Sequence, residues 1–183
     1  MPEVVDNYAY SLARINWDLF GTLTFTKSVP PTKRAFGMAW AHFYQAAKLV
    51  NRPYGQLLIA LRPELGEMFG RFHFHYLLGG TLASNVITLA HTLEYKWAGF
   101  SGLGALSKIR AYDRTKAGVE YVTKCLSSGT LGANEYELRK FNLSDSVTLS
   151  RSVFRVIESA ERIGMAHAAC ARKIMAGAEP VAS

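Results

Sequence analysis

Residues 71–78 read Arg-Phe-His-Phe-His-Tyr-Leu-Leu, and the alternation leaves this stretch little conformational choice. Successive side chains of an extended strand point to opposite faces, so a period of two sorts the segment into two rows. Phe72, Phe74, Tyr76 and Leu78 take one face and call for helices packed over them. Arg71, His73 and His75 take the other, with the two imidazoles about 7 Å apart at Cα. Such a strand belongs in a sheet that is apolar on one side and polar on the other.

The rest of the chain supplies that sheet. Trp17 to Thr26 alternates Thr22, Thr24 and Thr26 with Leu23 and Phe25, again the period of a strand. Pro30-Pro31 breaks the chain, and Thr32 can cap a helix running to about Asn51. Phe36, Trp40, Phe43, Ala47 and Val50 mark its apolar side. Tyr54 to Pro63 and Arg71 to Gly79 read as strands joined by a hairpin tip, and Ser84 caps a helix through Trp97. A Gly-rich loop over 99–104 leads to a fourth strand, Leu106 to Tyr112. A third helix begins near Asp113 to Thr115 and runs to about Ser127; a polar stretch and a long helix, Arg151 to Met175, follow.

The order β-α-β-β-α-β-α predicts an α+β fold: an antiparallel sheet of split βαβ, ferredoxin-like (RRM-like) topology. Two helices cover one face and the other is free for a site. The chain divides into an N-terminal extension (1–16) with a short helix around Tyr8 to Arg14, a core (17–130) and a C-terminal extension (131–183). The last helix either packs back on the sheet or pairs with another subunit.

Composition narrows the function classes. In 183 residues, 49% hydrophobic content supports a packed core rather than disorder. Lys and Arg number 21 against 14 Asp and Glu, a net charge of +7, and a positive surplus suits a polyanionic partner. Two cysteines, Cys125 and Cys170, are too few for a disulfide framework and point to a reducing compartment. Met1-Pro2-Glu3 lacks a basic leader and no apolar run spans a membrane, so the expected location is the cytoplasm. Phosphate loops, dinucleotide fingerprints and paired Cys-x-x-Cys are absent, which disfavours ATP motors, simple Rossmann enzymes and zinc ribbons.

Hairpin arithmetic gives the histidines a third companion. If Met68-Phe69 forms a two-residue loop, Glu64 lies opposite His73 and points to the same face, whereas Glu67 has the wrong parity. Two imidazoles and a carboxylate with open positions suit Mg²⁺ or Mn²⁺ acting as a Lewis acid on a phosphate oxygen, and the donors also admit zinc. In the third helix, Tyr121 and Lys124 are three apart and share a face, while Val119, Val122 and Leu126 can bury the other side. A phenol with a pKa of about 10 is a poor nucleophile, and a nearby ammonium and metal would activate it. The bland alternative is a half-buried tyrosine beside a solvated lysine.

Taken together, Thr22-Leu-Thr-Phe25, His73-x-His75 and Tyr121-x-x-Lys124 resemble the three motifs of the HUH rolling-circle replication initiators. The likeness covers about Trp17 to Ser127. In style it is nearest to initiators of microvirus-type single-stranded DNA phages and related plasmids. The resemblance implies a metal-dependent single-strand endonuclease and nucleotidyltransferase. His73, His75 and Glu64 would hold the ion, Tyr121 would attack the scissile phosphate at a replication origin, and Lys124 would position it. The products would be a 5′-phosphotyrosyl bond and a free 3′-OH, reversal would rejoin strands, and no cofactor beyond the metal would be needed. Cys125 stands where some members carry a second tyrosine, which implies a one-tyrosine enzyme. No helicase domain follows, so a host helicase and polymerase are the expected partners.

DNA contacts are expected from Arg71 on the histidine face, from Thr22 and Thr24, from Lys108 and Arg110 on the fourth strand, and from Arg114 and Lys116 at the start of the tyrosine helix. The competing readings are a related single-strand transposase, a non-catalytic nucleic-acid-binding module with incidental histidines, and an assembly partner acting through its last helix.

Overall fold

The computed structural model describes residues 6–25, 33–66, 71–99, 104–116, 118–123 and 147–176. In chain order they form α1 (Asp6–Ala13), β1 (Trp17–Phe25), α2 (Lys33–Leu49), β2 (Leu58–Leu65), β3 (Phe72–Gly79), α3 (Val86–Ala98), β4 (Gly104–Ala111), α4 (Gly118–Thr123), β5 (Thr148–Leu149) and α5 (Arg151–Ala176). The five strands make one antiparallel sheet in the order β4-β1-β3-β2-β5. The first four strands have the split βαβ arrangement expected from the element order. No helix of the described residues is long and apolar enough to cross a membrane.

The apolar rows read from the sequence become the main core. Leu19, Leu23 and Phe25 of β1, Ile59 and Leu61 of β2, and Phe72, Phe74, Tyr76 and Leu78 of β3 are buried against Ala39, Phe43 and Ala46 of α2 and Leu89, Leu93 and Trp97 of α3. Phe25 meets Phe74 and Trp97 edge-on, with ring centroids 5.9 and 5.2 Å apart, a favoured aromatic geometry. Gly21 pairs with Tyr76 across the β1–β3 ladder. A Cβ at position 21 would stand 2.3 Å from that ring, so only glycine lets the phenol lie across β1.

One end of the opposite face carries a second, smaller cluster: Leu12, Ile15, Trp17, Ala60, Leu77, Val119, Val122 and Val153. A bulge between Trp17 and Leu19 resets the parity of β1, so Trp17 serves this cluster and Leu19 the main core. Val153 is buried there and Ile157 packs against it, so the start of α5 packs back on the sheet. Ser152 Oγ donates to the Leu57 carbonyl, and Ser150 Oγ accepts from the Ile59 amide at 3.1 Å.

Several boundaries depart from the sequence expectation. Tyr54–Gln56 is a 3₁₀ turn and β2 starts at Leu58; Gln56 N–H donates to the Pro53 carbonyl at 2.9 Å. β2 runs past Pro63 to Leu65. This is possible because Ile59 turns its amide and carbonyl toward Ser150, and the same parity turns the Pro63 nitrogen away from β3. Asn85 caps α3 in place of Ser84, its Oδ1 accepting from Thr88 N–H at 2.9 Å. Residues 114–116 are a 3₁₀ turn rather than the first turn of the tyrosine helix. Asp113 Oδ1 takes the amide and hydroxyl of Thr115 at 3.0 and 2.7 Å, and α4 begins at Gly118. The short strand β5 has no counterpart in the sequence reading. Thr32, the 68–69 loop, Glu67 and residues 124–146 lie outside the described residues.

His42 sits inside the main core, 2% exposed, with its Nε2 3.5 Å from the Tyr76 hydroxyl. Burial pushes its pKa down from 6.5 to about 3. Below pH 6.5 the unfolded chain takes up a proton that the folded chain refuses until about pH 3, so this residue removes stability as the pH falls through that window. The slope is about 1.4 kcal/mol per pH unit. Denaturant titrations at pH 7 and 4.5 should show a shallower loss for His42→Gln than for the wild type. In the same assay, Gly21→Ala should cost about 1–3 kcal/mol by overpacking against Tyr76.

Candidate metal centre

The face opposite α2 and α3 is polar beyond the second cluster, and strand register decides which side chains meet there. β2 pairs with β3 so that Glu64 faces His73 and Arg62 faces His75. β1 pairs on the other side so that Thr24 faces His73 and Thr22 faces His75. β4 adds Lys108 beside Thr22 and Arg110 beside Phe20. Cross-strand partners share a face, so Lys108, Thr22, His75 and Arg62 form one row across four strands.

Glu64, His73 and His75 converge: each offers a ligand atom, and these atoms lie within 4.8 Å of one another. The two imidazole Nε2 atoms are 3.0 Å apart, and His75 Nε2 is 3.3 Å from Glu64 Oε2. Donors bound at about 2.1 Å to one ion stand about 3.0 Å apart at right angles and about 3.4 Å apart at the tetrahedral angle. The His73–His75 and His75–Glu64 spacings therefore match those of donors on a small divalent cation of the Mg²⁺, Mn²⁺ or Zn²⁺ type.

Outer contacts orient the imidazoles, as they do for metal-binding histidines in general. His73 Nδ1 lies 3.1 Å from the Arg71 carbonyl; a carbonyl only accepts, so Nδ1 carries the proton and a lone pair on Nε2 faces the site. His75 Nδ1 lies 2.9 Å from Thr22 Oγ1. A hydroxyl donates or accepts, so Thr22 supports either tautomer. With its proton on Nε2, His75 bonds Glu64; with the proton on Nδ1, it offers a second lone pair to a cation. Phe20 lies parallel to His75, with ring centroids 6.2 Å apart and an interplanar angle of 4°.

The electrostatics suit cation binding near neutral pH. Glu64 is held below the ordinary carboxylate range, chiefly by the hydrogen bond from His75; burial opposes this, and the charges of both histidines and Arg62 assist it. His73 is held below the ordinary imidazole value, chiefly by burial. A low carboxylate pKa keeps Glu64 charged, and a low imidazole pKa keeps His73 neutral, the forms that bind metal.

The other expected site residues are distributed as follows. Thr22 has its hydroxyl on His75 and so steadies that imidazole. Lys108 and Arg110 are exposed on β4. Arg114 bonds the Asn16 side chain and Lys116 pairs with Asp113 at 3.2 Å. Arg71 adjoins β3 and is half-buried. Tyr121 belongs to α4, which packs on the histidine-bearing face through Val119 and Val122. Its side chain, and all of Lys124, lie outside the described residues.

Phe20 and Arg62, the latter 6% exposed, escaped sequence reasoning. The parity that selected Thr22 and Glu64 would have found both. No family model, curated protein or solved structure matches the chain, so the chemistry of the site rests on its geometry.

Removing the hydroxyl that steadies His75 should weaken the centre without deleting a ligand. Thr22→Val is expected to lower Mn²⁺ affinity about 10-fold or more by calorimetric titration, with Thr22→Ser close to the wild type.

Proposed function

We propose that this chain nicks and rejoins single-stranded DNA at a replication origin by tyrosine transesterification, and so initiates rolling-circle replication in the cytoplasm of a host cell. The observation that carries the reading is the convergence of Glu64, His73 and His75 on the sheet face where α4, the helix of Tyr121, packs. Exposed Lys108 and Arg110 border the same face and supply positive charge for a phosphate backbone. The resemblance of the three motifs to HUH initiators supports the same assignment.

Glu64, His73 and His75 would hold Mg²⁺ or Mn²⁺. Bound there, the ion would draw electron density from a non-bridging oxygen of the scissile phosphate. The Tyr121 phenol loses its proton to water or a base, and its oxygen attacks phosphorus. The bond to the 3′ oxygen breaks, that oxygen takes up a proton, and the 5′ phosphate remains esterified to Tyr121. Lys124 neutralises charge on the phosphate. One phosphodiester is exchanged for another, so reversal rejoins strands and no nucleotide cofactor is consumed. The free 3′-OH is a primer for a host polymerase, with unwinding by a host helicase.

A pool of single-stranded oligonucleotides bearing candidate origins, incubated with Mn²⁺ and separated on a denaturing gel, tests the reading. A DNA adduct mapping to Tyr121, abolished by EDTA and by Tyr121→Phe, is the expected result. Binding without an adduct for any sequence or metal would transfer the assignment to a non-catalytic nucleic-acid-binding module.

A further inference from the structure

Phe20 occupies the junction between the apolar and polar halves of the site face. It lies two residues before Thr22 on β1, and it pairs with Leu77 on one side and Arg110 on the other. One flank of its ring is the parallel stack on His75. Elsewhere it packs against the cluster that buries Val119 and Val122 of α4. The first residue of α4 lies beside it: a Cβ on Gly118 would be in ordinary contact with Phe20 Cδ2 at 3.5 Å, next to the ring of Tyr112 at 2.9 Å. β1 thus reaches His75 twice, through the Thr22 hydroxyl and through this ring, and the ring also packs on the cluster that holds α4.

We propose that Phe20 is a positioning residue that fixes the separation between the His75 ligand and helix α4. The inference rests on the nicking reading for its catalytic consequence, but not for its geometry. A planar ring fills the gap between imidazole and helix at one thickness, whereas a flexible aliphatic chain leaves the helix free to settle closer or slide. An in-line attack tolerates little such movement, and a displacement of about 1 Å costs about 100-fold in rate.

The test uses the full chain, with Co²⁺ as a paramagnetic probe and Zn²⁺ as its diamagnetic reference. Pseudocontact shifts of the Val119 and Val122 methyl groups report the placement of α4 relative to the ion, whether or not DNA is cut. Phe20→Leu should change these shifts while leaving those of Leu61 and Leu93 in the main core unaltered, and Phe20→Tyr should match the wild type. Phe20→Met gives a second ring-free variant should the leucine variant fail to fold. In the Mn²⁺ adduct assay at saturating metal and DNA, the ring-free variants should lose about 10- to 100-fold in rate and Phe20→Tyr should retain it. Unchanged Val119 and Val122 shifts in the ring-free variants would overturn the proposal, as would loss of the rate without a change in shifts. Absence of any wild-type adduct would sink the nicking reading and leave the shifts to decide the positioning role. Failure of the wild type to bind Co²⁺ would overturn both.

Discussion

Glu64 stands opposite His73 because β2 and β3 pair without slippage from Leu58–Gly79 to Leu65–Phe72. Side chains alternate with a period of two, so a shift of one residue would send the carboxylate into the main core and bring Pro63 or Leu65 to the imidazoles. That error is costly because the same shift would drive Ile59 and Leu61 out of the core and Arg62 into it. Hydrophobic burial on the covered face therefore enforces the geometry of the polar face. The trio needs no dedicated scaffold; it is the reverse side of a packed sheet.

The polar face is itself divided. Its apolar end, built from Trp17, Ala60, Leu77, Val119, Val122 and Val153, fixes α4 and the start of α5 against the strands. The far end carries Thr22, Thr24, Glu64, His73 and His75. The proposed reaction would need a nucleophile on α4 and a cation at the trio to keep a rigid common reference, and one face of one sheet carries both elements. Arg62 adds a buried cation in register with His75 and helps keep Glu64 ionised.

Strand period and hairpin parity were enough to read the sheet, its covered face and the Glu64–His73–His75 trio, because both depend on a repeat of two that packing on one face makes unforgiving. Where local signals compete, the sequence was a weaker guide. Ser84 and Asn85 are both good caps, and their order is decided by which side chain reaches the Thr88 amide. Asp113 looks like a helix start, but its carboxylate is engaged by Thr115 in a turn. β5 is two residues long, shorter than any period can reveal. The hydroxyl of Thr22 also bonds His75, a partner that a hydroxyl does not reveal until the neighbouring strand is in place. Phe20 and Arg62 share the parity of Thr22 and Glu64, but an aromatic or an arginine in a strand carries no signature of metal chemistry that would prompt the parity to be applied to it.

The strand order has a consequence for solubility. Among the described residues, β4 ends the sheet on one side, and β5 pairs with Ala60 and Leu61 on the other. Both flanks could in principle recruit a strand from another molecule and start an aggregate. On the β2 flank, the run beyond the described β5 pairing contains Pro63, whose nitrogen has no hydrogen to donate to an incoming strand. On the β4 flank, Lys108 and Arg110 are exposed two residues apart and would face their own copies in a self-paired edge, where like charges repel. Cations suited to a polyanion thus also act as gatekeepers, letting a chain of 49% hydrophobic composition keep a short open sheet from growing.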